Sequence, residues 1–491
     1  MQKHRIVYFR INIGSGLRMI NLVINKISNL SIQVKASVTY MLASILTKGV
    51  NILTLPIYTR LLSTNEMGIV SNFTAWYAIL YTIVTLSLTT ASMSVAMIDF
   101  EEKRDQYQSV CLTISSITAV VFLFIYILFF PYINKITSLN TPLMFVQILL
   151  FFFNPALDSW YARQRFEYKY KSVLAVSSII TICSVIVSIY AIYDAQLKGI
   201  NQLGTIRVIF QNAIVILFGI FFWFKIMLKG KIWWDKDMIL YALKLSLPLI
   251  IHTLAKNILD VSDRLMITKL CGESEAGIYG TVYNISLMAT IAWTAINSAM
   301  VPTIFSYLKE GKLLKISIIA KKILVIMALF TIIATVIAPE ILRLLTTKEY
   351  YGAVYMMPAI VGGVYFTAIY GLYGDILIYY KKPNVIMIST VIVAVINIVL
   401  NYIFIQIFGY MAAAYTTFVS FVILAVMQGV MQVKVSQKHI IPVKSTILIS
   451  CFTCVLCFSI NIIYDKIIIR YIILFLTLLV MFAFKQKYKS E

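Results

Sequence analysis

Charged side chains are scarce in this sequence of 491 residues. They make up 13% of it, whereas apolar residues make up 60%, and an average soluble domain is about 25% charged. Histidine occurs three times and proline ten times. A disordered chain has more charge and fewer apolar residues, and a soluble multidomain enzyme has polar linkers between its cores. The composition excludes both classes and predicts an integral membrane protein.

Cysteine is also rare, with six residues, which excludes a disulfide-rich secreted module. Cys451, Cys454 and Cys457 recur at a helical spacing within an apolar run, with no histidine or acidic residue between them. We interpret them as small packing residues and expect no metal or other cofactor. The sequence has no phosphate-binding glycine loop and no sizeable extramembrane loop for catalysis. These absences argue against an enzyme such as a polymerase or a membrane glycosyltransferase.

Fourteen segments are apolar over the length of about 20 residues that a membrane-spanning helix needs. They predict an all-α polytopic membrane protein with about 14 transmembrane helices. The segments are 37–58, 68–93, 109–131, 142–160, 173–193, 205–224, 240–267, 277–303, 317–339, 354–380, 384–405, 411–432, 441–463 and 467–484.

Lysine and arginine distribute unevenly around these segments, although their total of 42 far exceeds the 20 acidic residues. If the N-terminus is cytoplasmic, 30 of them lie in or beside the cytoplasmic connections and tails, 9 lie on the opposite side, and 3 lie within helices. Basic residues accumulate in cytoplasmic loops. We therefore expect both termini in the cytoplasm, and the net charge of +22 needs no nucleic-acid partner.

The sequence repeats itself at a constant offset of 209 residues. Residues Thr59–Phe73 match residues within Thr268–Tyr283, with identical threonine, leucine, glutamate, glycine and isoleucine residues at corresponding positions. The offset covers six predicted helices, an even number, so the two copies have the same orientation in the membrane. This predicts two parallel six-helix repeats that can move against each other around a shared cavity.

The repeat divides the chain into five parts. Residues 1–36 are a basic cytoplasmic segment without the pattern of a cleaved signal peptide, and translation starts at either Met1 or Met19. The remaining parts are a first bundle of six helices (37–224), a basic cytoplasmic linker (225–239), a second bundle of six helices (240–432), and two additional helices with a basic tail (433–491).

Three long stretches resemble the signatures of one family. KGVNILTLPIYTRLLSTNEMGIVSNF (48–73), DVSDRLMITKLCGESEAGIYGTVYNIS (260–286) and INIVLNYIFIQIFGYMAAAYTT (Ile396–Thr417) are similar to motifs of the bacterial polysaccharide repeat-unit flippases of the O-antigen and capsule type. That family is a branch of the MATE-like (MOP) exporter superfamily. The resemblance covers both halves of the chain, although many members have 12 spans rather than 14.

The resemblance implies a V-shaped pair of bundles in the bacterial inner membrane, working by alternating access. It implies that the cargo is an oligosaccharide repeat unit linked to undecaprenyl diphosphate, moved from the cytoplasmic to the outer leaflet for surface polysaccharide assembly. Membrane lipids, a polysaccharide polymerase and the chain-length machinery are the implied partners. Two alternatives stay open, which are a cation-coupled multidrug antiporter and a flippase for peptidoglycan precursors.

Charged side chains inside spans usually face a partner or a wet cavity. The seventh span concentrates five polar residues, which fall within an arc of about 120° of a helix with 100° per residue: His252, Lys256, Asp260, Asp263 and Arg264. They are either a self-neutralised network or a cavity wall that binds an anionic head group. We predict that the last four contact the substrate and that His252 is a proton carrier or a packing residue.

Lys48 lies well inside the first span, and its position plus 209 is next to Lys256. We predict that the two lysines face the shared cavity and bind the diphosphate. Asp375, a lone acid of the tenth span, is a candidate for coupling transport to an ion, as is His252. Asn397 and Asn401 are spaced i, i+4 in the eleventh span, and we interpret them as structural polar residues that bond to neighbouring helices.

Overall fold

The computed structural model describes residues 32–89 and 93–487, and these residues are largely α-helical. The first 31 residues, which hold most of the predicted basic N-terminal segment, lie outside the described part. The first group of helices is α1 Ile32–Leu61, α2 Thr64–Val84, α3 Met93–Asp99, α4 Arg104–Thr137, α5 Thr141–Phe166, α6 Tyr170–Leu197 and α7 Leu203–Gly230.

A second group of helices follows after residues 231–235. It consists of α8 Lys236–Leu270, α9 Glu273–Ser286, α10 Ala289–Lys309, α11 Leu313–Val336, α12 Ala338–Leu345, α13 Met357–Tyr379, α14 Pro383–Phe408 and α15 Ala412–Ser436. The last two helices are α16 Val443–Ile462 and α17 Ile467–Lys487, and short 3₁₀ helices occupy Glu101–Lys103 and Lys348–Met356.

Within the described residues, eleven helical segments are long and apolar enough to cross a membrane, and twelve if the bent α8 is one span. Each of the fourteen predicted segments falls on helical structure, so the all-α membrane fold is confirmed. The number of fourteen spans stays a prediction, because length and composition alone do not qualify α1 and α17.

Two predicted spans are not continuous helices. The segment 68–93 is interrupted, because α2 ends at Val84 and α3 begins at Met93, and Leu86 and Ser87 have left-handed φ values of 52° and 46°. Threonine and serine, which favour turns over helix interiors, dominate this stretch. The segment 277–303 is divided between α9 and α10 at residues 287–288. An apolar run over this length thus does not by itself specify one helix.

The helices pack as two bundles, which we name the N-bundle (α1–α7) and the C-bundle (α8–α15). In the N-bundle α7 packs against both α5 and α6, and in the C-bundle α15 packs against both α13 and α14. Helices α16 and α17 pack on α11. We call the end with the α1–α2 and α8–α9 connections the outer end, after the predicted orientation.

At the outer end the two repeat motifs contact each other through small residues. A Cβ atom on Gly68 of α2 would lie 1.8 Å from the carbonyl oxygen of Glu273, and one on Gly277 of α9 would lie 1.9 Å from that of Thr64. Thr64 and Glu273 are themselves 209 residues apart, as are the two glycines. The contact is therefore reciprocal, as a pseudo-twofold axis between parallel repeats requires.

The start of α2 depends on the repeat's glutamate. The Ser63 hydroxyl accepts from the Glu66 amide, and the Glu66 carboxylate accepts from the Ser63 amide, which forms a capping box. The other carboxylate oxygen accepts from the amide of Leu203, at 2.8 Å. One acidic side chain thus caps α2 and fixes the start of α7 beside it.

Helix α17 is joined to the C-bundle by a buried arginine. Arg470 is 2% exposed, and its guanidinium donates to both carboxylate oxygens of Glu340, at 2.7 and 2.9 Å, and to the carbonyl of Val336. Such a two-pronged pair fixes orientation as well as distance. It locates α17 against the outer end of α11 and against α12.

Helix α8 belongs to both bundles. Its first part, Lys236–Leu247, is bent by 42° relative to Leu249–Leu270. Met238 and Ala242 of the first part are buried in a core cluster with N-bundle residues, whereas Leu259 of the second part is buried in a C-bundle core. The helix is therefore the covalent and packed connection between the bundles.

Candidate functional site

A cavity of about 400 Å³ opens where α1 faces the C-bundle. Four charged residues line it, which are Lys48, Lys256, Asp260 and Arg264. Of its described lining residues, Lys48 alone comes from the N-bundle, and the others come from α8, α9, α10, α13 and α15. The structure therefore brings four of the five residues predicted to bind substrate to one cavity.

The charges on α8 follow its i, i+4 ridge. The Lys256 ammonium donates to the Asp260 carboxylate at 2.6 Å, and the Lys256 side chain is still 52% exposed to the cavity. Arg264 is almost buried, and its guanidinium lies 4.9 Å from the Tyr283 ring centre and donates to the Asn284 side chain. The Lys256–Asp260 ion pair holds both charges in place, and the Lys256 ammonium retains hydrogen-bond donors for a further anion.

Lys48 has a different environment. Its side chain is exposed, and it forms no ion pair with any described residue. Three cations and one carboxylate thus line the cavity, so its net charge is positive. Charges in a partly apolar space interact more strongly than in water, and the cavity favours an anionic over a cationic ligand.

Aromatic rings form the C-bundle side of the cavity. Tyr283, Tyr370, Phe418 and Phe421 line it, and the rings of Tyr370 and Phe421 are stacked with centres 6.1 Å apart. These residues were not singled out from the sequence, because tyrosine and phenylalanine occur throughout the chain. Flat rings beside a cationic wall suit a ligand with a charged group and a bulky, partly apolar body.

Asp263 does not line the cavity, which corrects the expectation for this residue. It is 0% exposed, its carboxylate accepts from the Tyr279 hydroxyl, and it also accepts from the Arg264 amide. The arc of about 120° was derived from the angular positions of the residues around an ideal helix, and it does not include their positions along the helix axis. At its level on α8, Asp263 faces α9 rather than open space.

The two coupling candidates lie outside the cavity. His252 is half-buried on α8, and its Nδ1 atom is buried without a hydrogen-bond partner. Asp375 lies on α13 next to Asn297 of α10, and one oxygen of each side chain is buried and unpartnered. A proton or small cation would satisfy such oxygens.

Asn397 and Asn401 are fully buried and connect three helices. The Asn397 oxygen accepts from Ser262 of α8 at 3.1 Å, and its amide donates to Thr417 and Ser420 of α15. Asn401 donates to Asn397 and accepts from Thr416. The network links α8, α14 and α15 through side-chain hydrogen bonds, as polar residues between membrane helices commonly do, and the structural role of both residues stays a prediction.

The outer end of the cavity is closed by a cluster that we name the outer seal. It includes the reciprocal glycine contact of α2 and α9, and a single apolar core that both bundles share. The N-bundle contributes Leu55, Tyr58, Leu62 and Met67 to this core, and the C-bundle contributes, among others, Tyr279, Leu342, Leu345 and Tyr350. Polar contacts reinforce it, such as that between the Thr64 and Ser274 hydroxyls at 2.8 Å.

The fold is similar to that of solved membrane transporters, among them members of the MOP superfamily. The structure resembles the lipid II flippase MurJ in an inward closed conformation, with a TM-score of 0.68 and 15% identity over 93% of this chain and 100% of that one. It also resembles an inward-facing multidrug resistance MATE family transporter, with a TM-score of 0.60 and 14% identity over 79% and 95% of the two chains. At these identities the likeness shows the fold.

A third similar structure is a MOP superfamily transporter from Pyrococcus furiosus, with a TM-score of 0.56 and 15% identity over 82% of this chain and 95% of that one. Among curated proteins, none matches the sequence. The family of polysaccharide biosynthesis proteins matches residues 34–308, and the MatE family matches residues 248–403. The first match covers more than half of the chain, and the protein belongs to the polysaccharide biosynthesis protein family.

Proposed function

We propose that the protein moves oligosaccharide units linked to undecaprenyl diphosphate from the cytoplasmic to the outer leaflet of the bacterial inner membrane. The observation that carries this proposal is that Lys48 and Lys256 both line one cavity, which has a net positive charge. A diphosphate is a compact anion that several cationic donors bind together. The aromatic wall offers surfaces on which sugar rings stack.

Membership of the family supports the same cargo, because a transporter used in polysaccharide biosynthesis must carry a sugar intermediate across the membrane. We propose alternating access as the mechanism. With the outer seal closed, the head group enters from the inner end and binds the cavity cations, and separation of the bundles at the outer end then releases it. Orientation with both termini in the cytoplasm is part of this proposal.

We assign coupling to Asp375 and His252 as part of the same hypothesis. The unpartnered oxygens beside Asp375 are a suitable place for a proton that enters and leaves with each cycle. Asp375→Asn should then abolish any dependence of transport on a proton gradient while cargo binding persists. Unchanged gradient dependence in this variant would contradict the assignment.

A second candidate cargo is a peptidoglycan precursor. The similar lipid II flippase aligns over its whole length with 93% of this chain. Lipid II and a polysaccharide repeat unit share the diphosphate and the lipid, and they differ in the attached group. A cationic drug is less compatible with the cavity, because three of its four charged residues are positive.

The test is transport by the purified protein in liposomes. We expect movement of a fluorescent undecaprenyl diphosphate oligosaccharide between leaflets, slower movement of lipid II, and no efflux of a cationic dye. Efflux of the dye without movement of the lipid-linked sugar would contradict the proposed function. Faster movement of lipid II than of the oligosaccharide would favour the second candidate.

A further inference from the structure

Arg207 is a cation inside the outer seal, on the second turn of α7. Its guanidinium carbon lies 3.7 Å from the centre of the Tyr58 ring of α1, and one terminal nitrogen donates to the Met67 sulfur at 3.0 Å. Its Nε atom is buried without a hydrogen-bond partner. The charge is thus packed among members of the apolar core that joins the bundles.

No carboxylate of the described residues forms an ion pair with Arg207. Glu66, which precedes Met67 on α2, is bound instead to the amides of Ser63 and Leu203. Arg207 is half-buried. A guanidinium is always charged, and a charge that packs among apolar residues without an ionic partner is unfavourable. Stacking on Tyr58 compensates for part of this, since cation–π attraction is strongest where water is excluded.

The apolar core around Arg207 is built from both bundles. Tyr58 and Met67 belong to the N-bundle, as Arg207 does, whereas Tyr350, a member of the same core, belongs to the C-bundle. When the bundles separate at the outer end, Tyr350 leaves with the C-bundle. The guanidinium then keeps its stacking partner and gains an open side toward the outer mouth of the cavity.

We propose that Arg207 is an anion site of the outward-open state, which takes the diphosphate after it leaves Lys48, Lys256 and Arg264. This inference depends on the proposed function for its cargo. The planar fork of a guanidinium matches two phosphate oxygens. An anion that binds only when the outer seal is open shifts the population toward the open state, so Arg207 couples the arrival of the head group to the release step.

The experiment uses a disulfide as a reporter of the closed outer seal. The Thr64 and Ser274 hydroxyls are 2.8 Å apart, so Thr64→Cys and Ser274→Cys, in a chain whose six cysteines are replaced by serine, should cross-link when the seal is closed. The protein also carries Lys48→Ala and Lys256→Ala, which remove two of the cavity cations, and is placed in nanodiscs of phosphatidylcholine. The probe is inorganic pyrophosphate, compared with sodium chloride at equal ionic strength.

We expect pyrophosphate to slow cross-linking several-fold when residue 207 is arginine, less in Arg207→Lys, and not at all in Arg207→Met. Equal slowing in Arg207→Met, or no slowing in any variant, would overturn the proposal. A purely structural role predicts that Arg207→Met changes the rate without any anion and leaves the effect of pyrophosphate intact. The Arg207→Lys variant keeps the test decisive if the methionine variant folds poorly.

A second arm distinguishes the source of the phosphate. Slowing that depends on Arg207 in phosphatidylglycerol nanodiscs, but not with pyrophosphate, would overturn the assignment to the cargo in favour of a phospholipid head group. The readout involves no transport. If pyrophosphate acts through Arg207 but the liposomes move no lipid-linked sugar, the proposed function fails while the anion site stands.

Discussion

The two bundles contribute unequally to the cavity, although their sequences are repeats. The C-bundle supplies the aromatic wall and a lysine already paired with Asp260, whereas the N-bundle supplies only Lys48 among the described lining residues. Lys256 is held in place but partly neutralised, whereas Lys48 is exposed and has no ion-pair partner among the described residues. We therefore propose that Lys48 has the larger share in binding an anion and that Lys256 has the larger share in placing it.

The largest effect is therefore expected at the N-bundle. Lys48→Ala should weaken binding of the lipid diphosphate about 10- to 100-fold, because a hydrogen bond to a charged group contributes roughly 1.5–3 kcal/mol. Export of surface polysaccharide should fall accordingly while the amount of membrane protein is unchanged. Lys48→Arg should retain part of the activity, and normal export in Lys48→Ala would contradict the assignment.

A smaller and non-additive effect is expected at the paired lysine. Lys256→Ala leaves the Asp260 carboxylate unpaired beside the diphosphate, so the single variant should export less than the double variant Lys256→Ala, Asp260→Ala. The pair Asp194–Lys198 is a matched control, because it has the same spacing and the same distance of 2.6 Å but does not line the cavity. Alanine at Lys198 should leave export unchanged, and additive effects at 256 and 260 would refute the comparison.

The outer seal allows a symmetrical test of the repeat. Gly68→Ala and Gly277→Ala should each force α2 and α9 apart, at a cost of about 1–3 kcal/mol for overpacking, and slow cross-linking of the Thr64→Cys, Ser274→Cys pair to the same extent. Gly352→Ala is the control, since nothing lies within 4 Å of its added methyl group. Effects that differ strongly between the two glycines would show that the contact is not shared equally by the repeats.

The smallest effect on transport is expected where α17 joins the C-bundle. Burial raises the pKa of Glu340, but the hydrogen bonds and charge of Arg470 outweigh burial and hold this pKa below its ordinary value. A lowered pKa stabilises the fold at pH values above the ordinary pKa, and this contribution is lost as the pH falls through the lowered value.

Glu340→Ala should therefore reduce the unfolding free energy at neutral pH by about 1–3 kcal/mol, since it leaves the Arg470 guanidinium buried without its partner. The loss should shrink as the pH is lowered, as measured by thermal unfolding in detergent. The exposed Glu349 of the same outer segment provides the control variant Glu349→Gln. A loss that grows toward acidic pH would contradict the assigned role of the pair.

The sequence was sufficient to predict the helical membrane fold, and it singled out both lysines that line the cavity. Hydropathy locates spans because a bilayer leaves no alternative to helices, and the offset of 209 residues related Lys48 to Lys256. Prediction from the sequence failed where local interactions, rather than hydropathy, determine the structure. The break after Val84 depends on a threonine-rich turn, and the burial of Asp263 depends on Tyr279 of a neighbouring helix. Arg207 was not singled out from the sequence, and only packing shows that it lies against the apolar core of the seal.

The most direct test of the central claim is the affinity for the lipid diphosphate itself. Binding of undecaprenyl diphosphate to the purified protein, measured by native mass spectrometry, should be weakened strongly by Lys48→Ala, moderately by Lys256→Ala, and not by Lys198→Ala. Equal affinity in all three variants would contradict the account, because the cavity cations would then have no part in holding the head group.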